Sequence, residues 1–174
     1  ALEGKDVVRL KGGDPFIFGR GGEEAESLAE NGIDFEIIPG VSSSVVAPMY
    51  AGIPLTHRDH ASSVAIVTGH QAGEGKRNIE WTKIVNAVDT VVILMGIESL
   101  PTLVDKLIIG GIDSSKPVAI IEKGTLNQQR TITGTINSIV NDAKKADIKP
   151  PAVIVIGEVV KLSRKLEWFK PSQP

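Results

Sequence analysis

The sequence predicts an α/β protein with a mixed sheet, and three observations carry that expectation. Short apolar runs alternate with helical patterns along almost the whole chain, as they do where strands share a sheet with helices packed on it. The run Thr90 to Met95 is continuously apolar, which suits a strand buried on both faces. Threonine alternation in Thr131-Ile132-Thr133-Gly134-Thr135 marks an antiparallel member.

Taken in order, the first strand is expected at Val7 to Leu10, followed by a helix near Glu23 to Asn31 whose Gly32 suits a left-handed C′ position. A second strand, Phe35 to Ile38, ends at Pro39-Gly40. Ser42 or Ser43 then caps a helix running toward Ala51 until Gly52 stops it. Ile53 to Arg58 reads as an extended linker. Strand Val64 to Thr68 leads into a glycine-rich loop from Gly69 to Arg77 and a helix around Glu80 to Ala87. After strand Thr90 to Met95, a helix follows Ser99 with Pro101 in its first turn, and Gly110-Gly111 ends it. Strand Val118 to Glu122 comes next, and the segments Arg130 to Thr135 and Val153 to Ile156 flank a helix near Ile136 to Ala146. The chain shows no internal repeat, and Lys170 to Pro174 reads as a frayed tail.

The stretch Leu10-Lys11-Gly12-Gly13-Asp14-Pro15-Phe16-Ile17-Phe18-Gly19-Arg20-Gly21-Gly22-Glu23-Glu24 sits between an apolar run and a helical pattern, and it is dense in glycine. Bare main chain in such a loop can approach a ligand closely, and loops at the carboxyl ends of strands are where open α/β sheets bind ligands. A tight strand-to-helix turn is the alternative reading. Phosphate is disfavoured as the ligand. A dinucleotide fingerprint starting at Gly19 would need glycine where Glu24 stands, and that carboxylate opposes an anion at a helix start. The second cluster, Gly69-His70-Gln71-Ala72-Gly73-Glu74-Gly75-Lys76-Arg77, misses the P-loop spacing and has Arg77 in place of the Mg²⁺-binding hydroxyl. What remains is a loop with Asp14 and no anion site, suited to a neutral or cationic ligand bearing hydroxyls, such as a nucleoside.

Composition narrows the class. A chain of 174 residues can bury a real core as one large domain or two small ones, and 41% hydrophobic with 23% charged residues is ordinary for a globular protein. A net charge of −2 gives no reason to expect nucleic acid or an anionic membrane as partner. Cysteine is absent, so disulfides and thiolate metal sites are excluded. No apolar run approaches the ~18 residues that span a bilayer, and Ala-Leu-Glu-Gly-Lys-Asp is unlike a signal peptide. A cytoplasmic protein is the expectation. His57, His60 and His70 have no zinc-binding spacing, so no metal is expected.

Val7 to Glu24 together with Pro39-Gly40-Val41-Ser42-Ser43-Ser44, Tyr50-Ala51-Gly52-Ile53-Pro54-Leu55-Thr56-His57-Arg58 and Val67-Thr68-Gly69-His70 resembles the tetrapyrrole methylase family, in its uroporphyrinogen-III C-methyltransferase branch. The likeness continues in register through Leu94-Met95-Gly96, Glu122-Lys123-Gly124-Thr125, Gln128-Gln129-Arg130 and Pro151 to Val160. It implies two α/β units with a cofactor cleft between them, residues 1–57 being the remainder of an N-terminal domain and 58–174 a C-terminal domain. It implies S-adenosylmethionine as cofactor, S-adenosylhomocysteine as product, a homodimer, and C-methylation of uroporphyrinogen III to precorrin-2 in sirohaem or corrinoid synthesis. A related precorrin methyltransferase and a non-catalytic S-adenosyl-binding fragment are the alternatives. The chain lacks an initial Met and reaches strand-like sequence almost at once, which reads as a truncation. The resemblance places the acid/base pair in the segment ahead of it, so the catalytic residues are unknown and this piece alone is expected to be inactive.

The same resemblance assigns Gly12, Gly13, Asp14, Ile17, Ser42, Ser43, Met95 and Gly124 to the cofactor. Read from chemistry alone, Asp14 can accept ribose hydroxyls or cap an Asx turn, Ser42 can cap a helix, Met95 can pack on adenine or fill a core, and Gly124 can form a tight turn. Arg9, Lys11, Arg20, Arg58 and Arg130 can pair with substrate carboxylates, with Arg20 and Arg58 the preferred choices.

Overall fold

A computed structural model describes residues 1–69 and 79–170, which divide into two compact units at Ser43/Ser44. This division falls ahead of the expected boundary at residue 57. The loop expected from Gly69 to Arg77 lies outside the described residues beyond Gly69, and His70 with it.

In the first unit the chain runs through an irregular loop into α1 (Gly21–Glu30). Arg20 enters the helix in the left-handed region at φ 59°, and Glu23 and Glu24 place negative charge against the positive end of the helix dipole. At the other end Gly32 donates to the Ala29 carbonyl and Ile33 to the Leu28 carbonyl, the paired bonds of a Schellman turn. The expected Gly32 stop is therefore formed. Two expectations need correction: neither Val7–Leu10 nor Phe35–Ile38 is a strand. Both run without ladder partners and are largely exposed, Val8 to 88%. Apolar β-branched sequence favours a strand only where neighbouring backbone and a covering layer exist, and no described segment supplies them here.

The second unit contains α2 (Ser43–Tyr50, begun by the last residue of the first unit), β1 (Val64–Thr68), α3 (Trp81–Ala87), β2 (Thr90–Leu94), α4 (Leu100–Ile109), β3 (Pro117–Glu122), β4 (Arg130–Thr135), α5 (Ile139–Lys145), β5 (Ala152–Ile156) and a 3₁₀ turn at Glu158–Leu162. The sheet order is β1-β2-β5-β3-β4. β1 and β2 are parallel, while β5 is antiparallel to both β2 and β3, and β4 is antiparallel to β3. The antiparallel character read from the threonines of β4 is present. β5, inserted at the centre of the sheet, is a second reversed strand that its uniform Val/Ile sequence did not announce.

Alternation along the central strands builds two cores. Val91, Ile93, Val118, Ile120, Ile154 and Ile156 face α3, α4 and α5. Val92, Leu94, Ala119, Ile121, Val153 and Val155 face α2 and the 3₁₀ turn. Both faces are thus covered, which is why these strands carry almost no polar residues. Helix α4 contributes Leu100, Leu103, Val104 and Leu107, spaced to form one buried stripe. Gly111 and Ile112 close it by bonding back to Ile108 and Leu107. No described helix is long and apolar enough to cross a membrane.

Candidate functional site

The Lys11–Arg20 loop of the first unit is organised by Asp14. One carboxylate oxygen accepts the Phe16 N–H at 2.9 Å and the other accepts the Gly40 N–H at 3.1 Å. The first bond is an Asx turn, and the second joins the loop to the Pro39–Ser42 segment. The contact is close: a Cβ on Gly40 would stand 2.5 Å from the Gly13 carbonyl oxygen, so no other residue fits there without displacing the loop. Gly13 itself has φ 126°, a conformation that L side chains resist. Gly12 is different, since a Cβ there would meet nothing within 4 Å. Its main chain borders open space beside Asp14. Buried Ser42 follows directly, its Cα 3.9 Å from the place of a Gly13 Cβ. Gly12, Gly13, Asp14 and Ser42 thus converge, with Ile17 partly exposed on the same loop and Ser43 exposed at the start of α2.

In the second unit the parallel directions of β1, β2 and β3 put their carboxyl ends on one edge of the sheet, the edge where α/β sheets take ligands. Met95 stands just past β2 rather than at its end, in the left-handed region at φ 54° and 55% exposed. The expected alternative of a core methionine is therefore excluded by its exposure. The Ser99 hydroxyl lies 3.2 Å from both the Gly69 and Gly96 carbonyl oxygens and ties the ends of β1 and β2 beside it. Gly124 follows β3 against α2, where a Cβ would come within 2.5 Å of the Ala47 Cβ. Lys123 and Thr125 flank it at φ 48° and 74°.

Charge pairing narrows the candidate carboxylate binders. Lys11 Nζ lies 2.8 Å from both oxygens of Glu24, and Arg9 Nε is 3.1 Å from one of them. The lysine hydrogen bond, then the arginine, holds the Glu24 carboxyl below its ordinary value. Arg130 is committed as well. It is the cross-strand partner of Glu122, donates to that carboxylate, which is only 3% exposed, and also donates to the Ala146 and Asp147 carbonyls. Lys11 and Arg130 are thus tied to carboxylates of this chain, while Arg9 remains largely exposed beside Glu24. Arg20 stays exposed, 3.6 Å from Glu23, and Arg58 is exposed. His57 Nδ1 accepts the Asp59 N–H, and its ring stacks obliquely on His60 at 4.8 Å. Among the described residues no group of His, Asp and Glu is placed to hold a metal.

Sequence reasoning named Gln129 only as part of a motif. Its buried side chain accepts the Thr125 N–H at 2.7 Å and donates to the Tyr50 carbonyl at 3.1 Å, bridging the turn after β3 to the end of α2. A polar residue ahead of a strand gives no sign of such a reach, because its second partner is 79 residues away.

The comparisons agree on one family. The family model for Tetrapyrrole (Corrin/Porphyrin) Methylases matches residues 1–140. A uroporphyrinogen-III C-methyltransferase of Bacillus subtilis is 51% identical over 170 residues, covering 98% of this chain and 66% of the relative. A siroheme synthase of Thiobacillus denitrificans is 50% identical over 171 residues, again 98% of this chain but 36% of the relative. The chain therefore spans less than two thirds of the length of these relatives. Among solved structures, a uroporphyrin-III C-methyltransferase from Thermus thermophilus complexed with S-adenyl homocysteine superposes with a TM-score of 0.76 at 35% identity, covering 90% of this chain and 67% of that one. With a family model matched over most of its length and relatives near half identity, the chain belongs to the tetrapyrrole methylase family.

Proposed function

We propose that this chain is the S-adenosylmethionine-binding part of a uroporphyrinogen-III C-methyltransferase, which methylates uroporphyrinogen III to precorrin-2 for sirohaem or corrinoid synthesis. The observation that carries the reading is the Gly12-Gly13-Asp14 loop, where bare main chain borders open space beside a carboxylate. The Bacillus and Thermus relatives, named for this reaction, support it.

The residues present fit the cofactor. Each Asp14 oxygen accepts one N–H and keeps a lone pair, so the loop can hold its own turn and still take ribose hydroxyls. Gly12 and Gly13 let the main chain approach, Ile17 supplies apolar surface, and Ser42 and Ser43 supply hydroxyls. Met95 presents a polarisable thioether suited to an adenine face, and Gly124 offers bare backbone. When bound, S-adenosylmethionine supplies a methyl group on a sulfonium, and its displacement leaves S-adenosylhomocysteine. The chain's contribution to such a displacement is proximity and orientation. Exposed Arg20 and Arg58 pair with carboxylates of the substrate. No residue of this chain is assigned as the base.

We further propose a cytoplasmic homodimer, with residues 1–57 the remainder of an N-terminal α/β domain and 58–174 the C-terminal α/β domain; light scattering on the purified chain reports the oligomer. Calorimetry with S-adenosylhomocysteine tests the site. Asp14→Ala is expected to weaken binding by about 1–3 kcal/mol, since it removes a charged acceptor. An unchanged affinity reduces Asp14 to its turn. Transfer of labelled methyl to an offered later precorrin, with none to offered uroporphyrinogen III, overturns the substrate.

A further inference from the structure

We propose that Gln129 is a positioning residue of the cofactor site, holding the turn that carries Gly124 in its working conformation; this rests on the reading of Gly124 as a cofactor contact. The turn after β3 is built from awkward pieces. Lys123 and Thr125 occupy the left-handed region on either side of Gly124, and for β-branched Thr125 at φ 74° that is a steric outlier. Such a conformation persists only where its surroundings over-determine it.

The surroundings are identifiable. Lys123 N–H bonds to the Pro151 carbonyl, Leu126 N–H to the Lys123 carbonyl and Gln129 N–H to the Leu126 carbonyl. The Thr125 N–H goes instead to the Gln129 side-chain oxygen at 2.7 Å, while the Gln129 amide nitrogen reaches the Tyr50 carbonyl at 3.1 Å. That carbonyl belongs to the last residue of α2, past the reach of the helix's own N–H groups. The amide matches both ends, because the Thr125 partner is a donor and the Tyr50 partner an acceptor. The side chain is 9% exposed, so water offers little substitute. With Thr125 fixed on one side and α2 on the other, Gly124 is pressed against Ala47 at a spacing that excludes any Cβ. The direction of the peptides flanking Gly124 follows from these restraints. Gln129 itself need not touch the cofactor.

The test uses the complete chain and S-adenosylhomocysteine in calorimetry, well below the unfolding transition. Gln129→Met is expected to weaken binding about tenfold, the value of one buried hydrogen bond, about 1.4 kcal/mol. Adding Thr125→Gly is expected to recover most of that loss, because glycine takes a positive φ without being held. General destabilisation would not be repaired in this way. If Met at this position prevents folding, Gln129→Asn, an amide too short to bridge both partners, takes its place. A folded variant that binds within twofold of the parent overturns the role, as does a loss that Thr125→Gly leaves untouched. A parent chain that binds no S-adenosylhomocysteine overturns the cofactor reading and this role with it.

Discussion

Thr90-Val91-Val92-Ile93-Leu94 and Val7-Val8-Arg9-Leu10 are close in composition, yet the first is a strand buried on both faces and the second is an extended segment with Val8 at 88% exposure. The first has β1 on one side, β5 on the other, and helices above and below. The second exchanges no ladder hydrogen bonds with any described segment. Strand propensity measures fit to a pleated, covered surface more than a preference of the backbone, and these two runs separate the two contributions. The loop that follows Val7–Leu10 is nevertheless well fixed, because Asp14, Gly13 and Gly40 hold it by polar and steric contacts that need no sheet.

The largest expected effect comes from cutting into the sheet that the first run belongs to. Ile120→Ala, at a fully buried position two strands from β2, is expected to cost about 2–5 kcal/mol in denaturant unfolding. Val8→Ala is expected to stay within about 0.5 kcal/mol. Comparable costs for the two would break the contrast, and amide exchange sharpens it, with residues 91–93 protected and 7–10 exchanging early.

Gly124→Ala ranks next. Its Cβ would overlap that of Ala47, and such overpacking is expected to cost about 1–3 kcal/mol together with a loss of affinity for S-adenosylhomocysteine. Gly12→Ala, at an equally glycine-rich position but facing open space, is expected to leave stability unchanged in the same melts while lowering that affinity. A smaller gain is expected from Thr90→Val at the head of β2. Thr90 Oγ1 is the one buried side-chain polar atom among the described residues without a hydrogen-bond partner, and removing it should add about 1 kcal/mol.

The smallest effect concerns acid. Asp89, just before β2, accepts the Ser62 N–H first of all, then the hydroxyls of Ser63 and Ser62 and the Ser63 N–H, and its carboxyl falls from an ordinary 3.8 to about 2. Because the folded state favours the ionised form, the stabilisation is complete above about pH 4 and is lost as pH falls toward 2. Asp89→Asn should flatten that limb of a stability-against-pH curve. An unchanged limb would remove Asp89 from the junction of β1 and β2.

Much of the second unit was legible because its signals are local. The apolar stripe of α4 with its Gly110-Gly111 stop, the span of β1, and the threonine alternation of β4 are properties of neighbouring residues, and each appears where expected. The convergence of Gly12, Gly13, Asp14 and Ser42 was readable only through family likeness, since nothing in a glycine-rich segment says which distant segment it touches. Arg130 illustrates the opposite difficulty. As a sequence letter it is one more cation, and only the β3–β4 register commits it to Glu122.

By itself the sequence determined which segments become helices and strands in the second unit, which class of loop follows Leu10, and which family the chain resembles, because periodicity, stop signals and motif order are written along the chain. Tertiary structure alone decided that Val7–Leu10 stays unpaired, that β5 reverses into the middle of the sheet, that Asp14 reaches the Gly40 N–H, and that Gln129 joins the turn after β3 to α2. Each of these depends on which groups meet across long stretches of chain, and hydrogen bonds and burial reward the meeting itself rather than any residue's own preference.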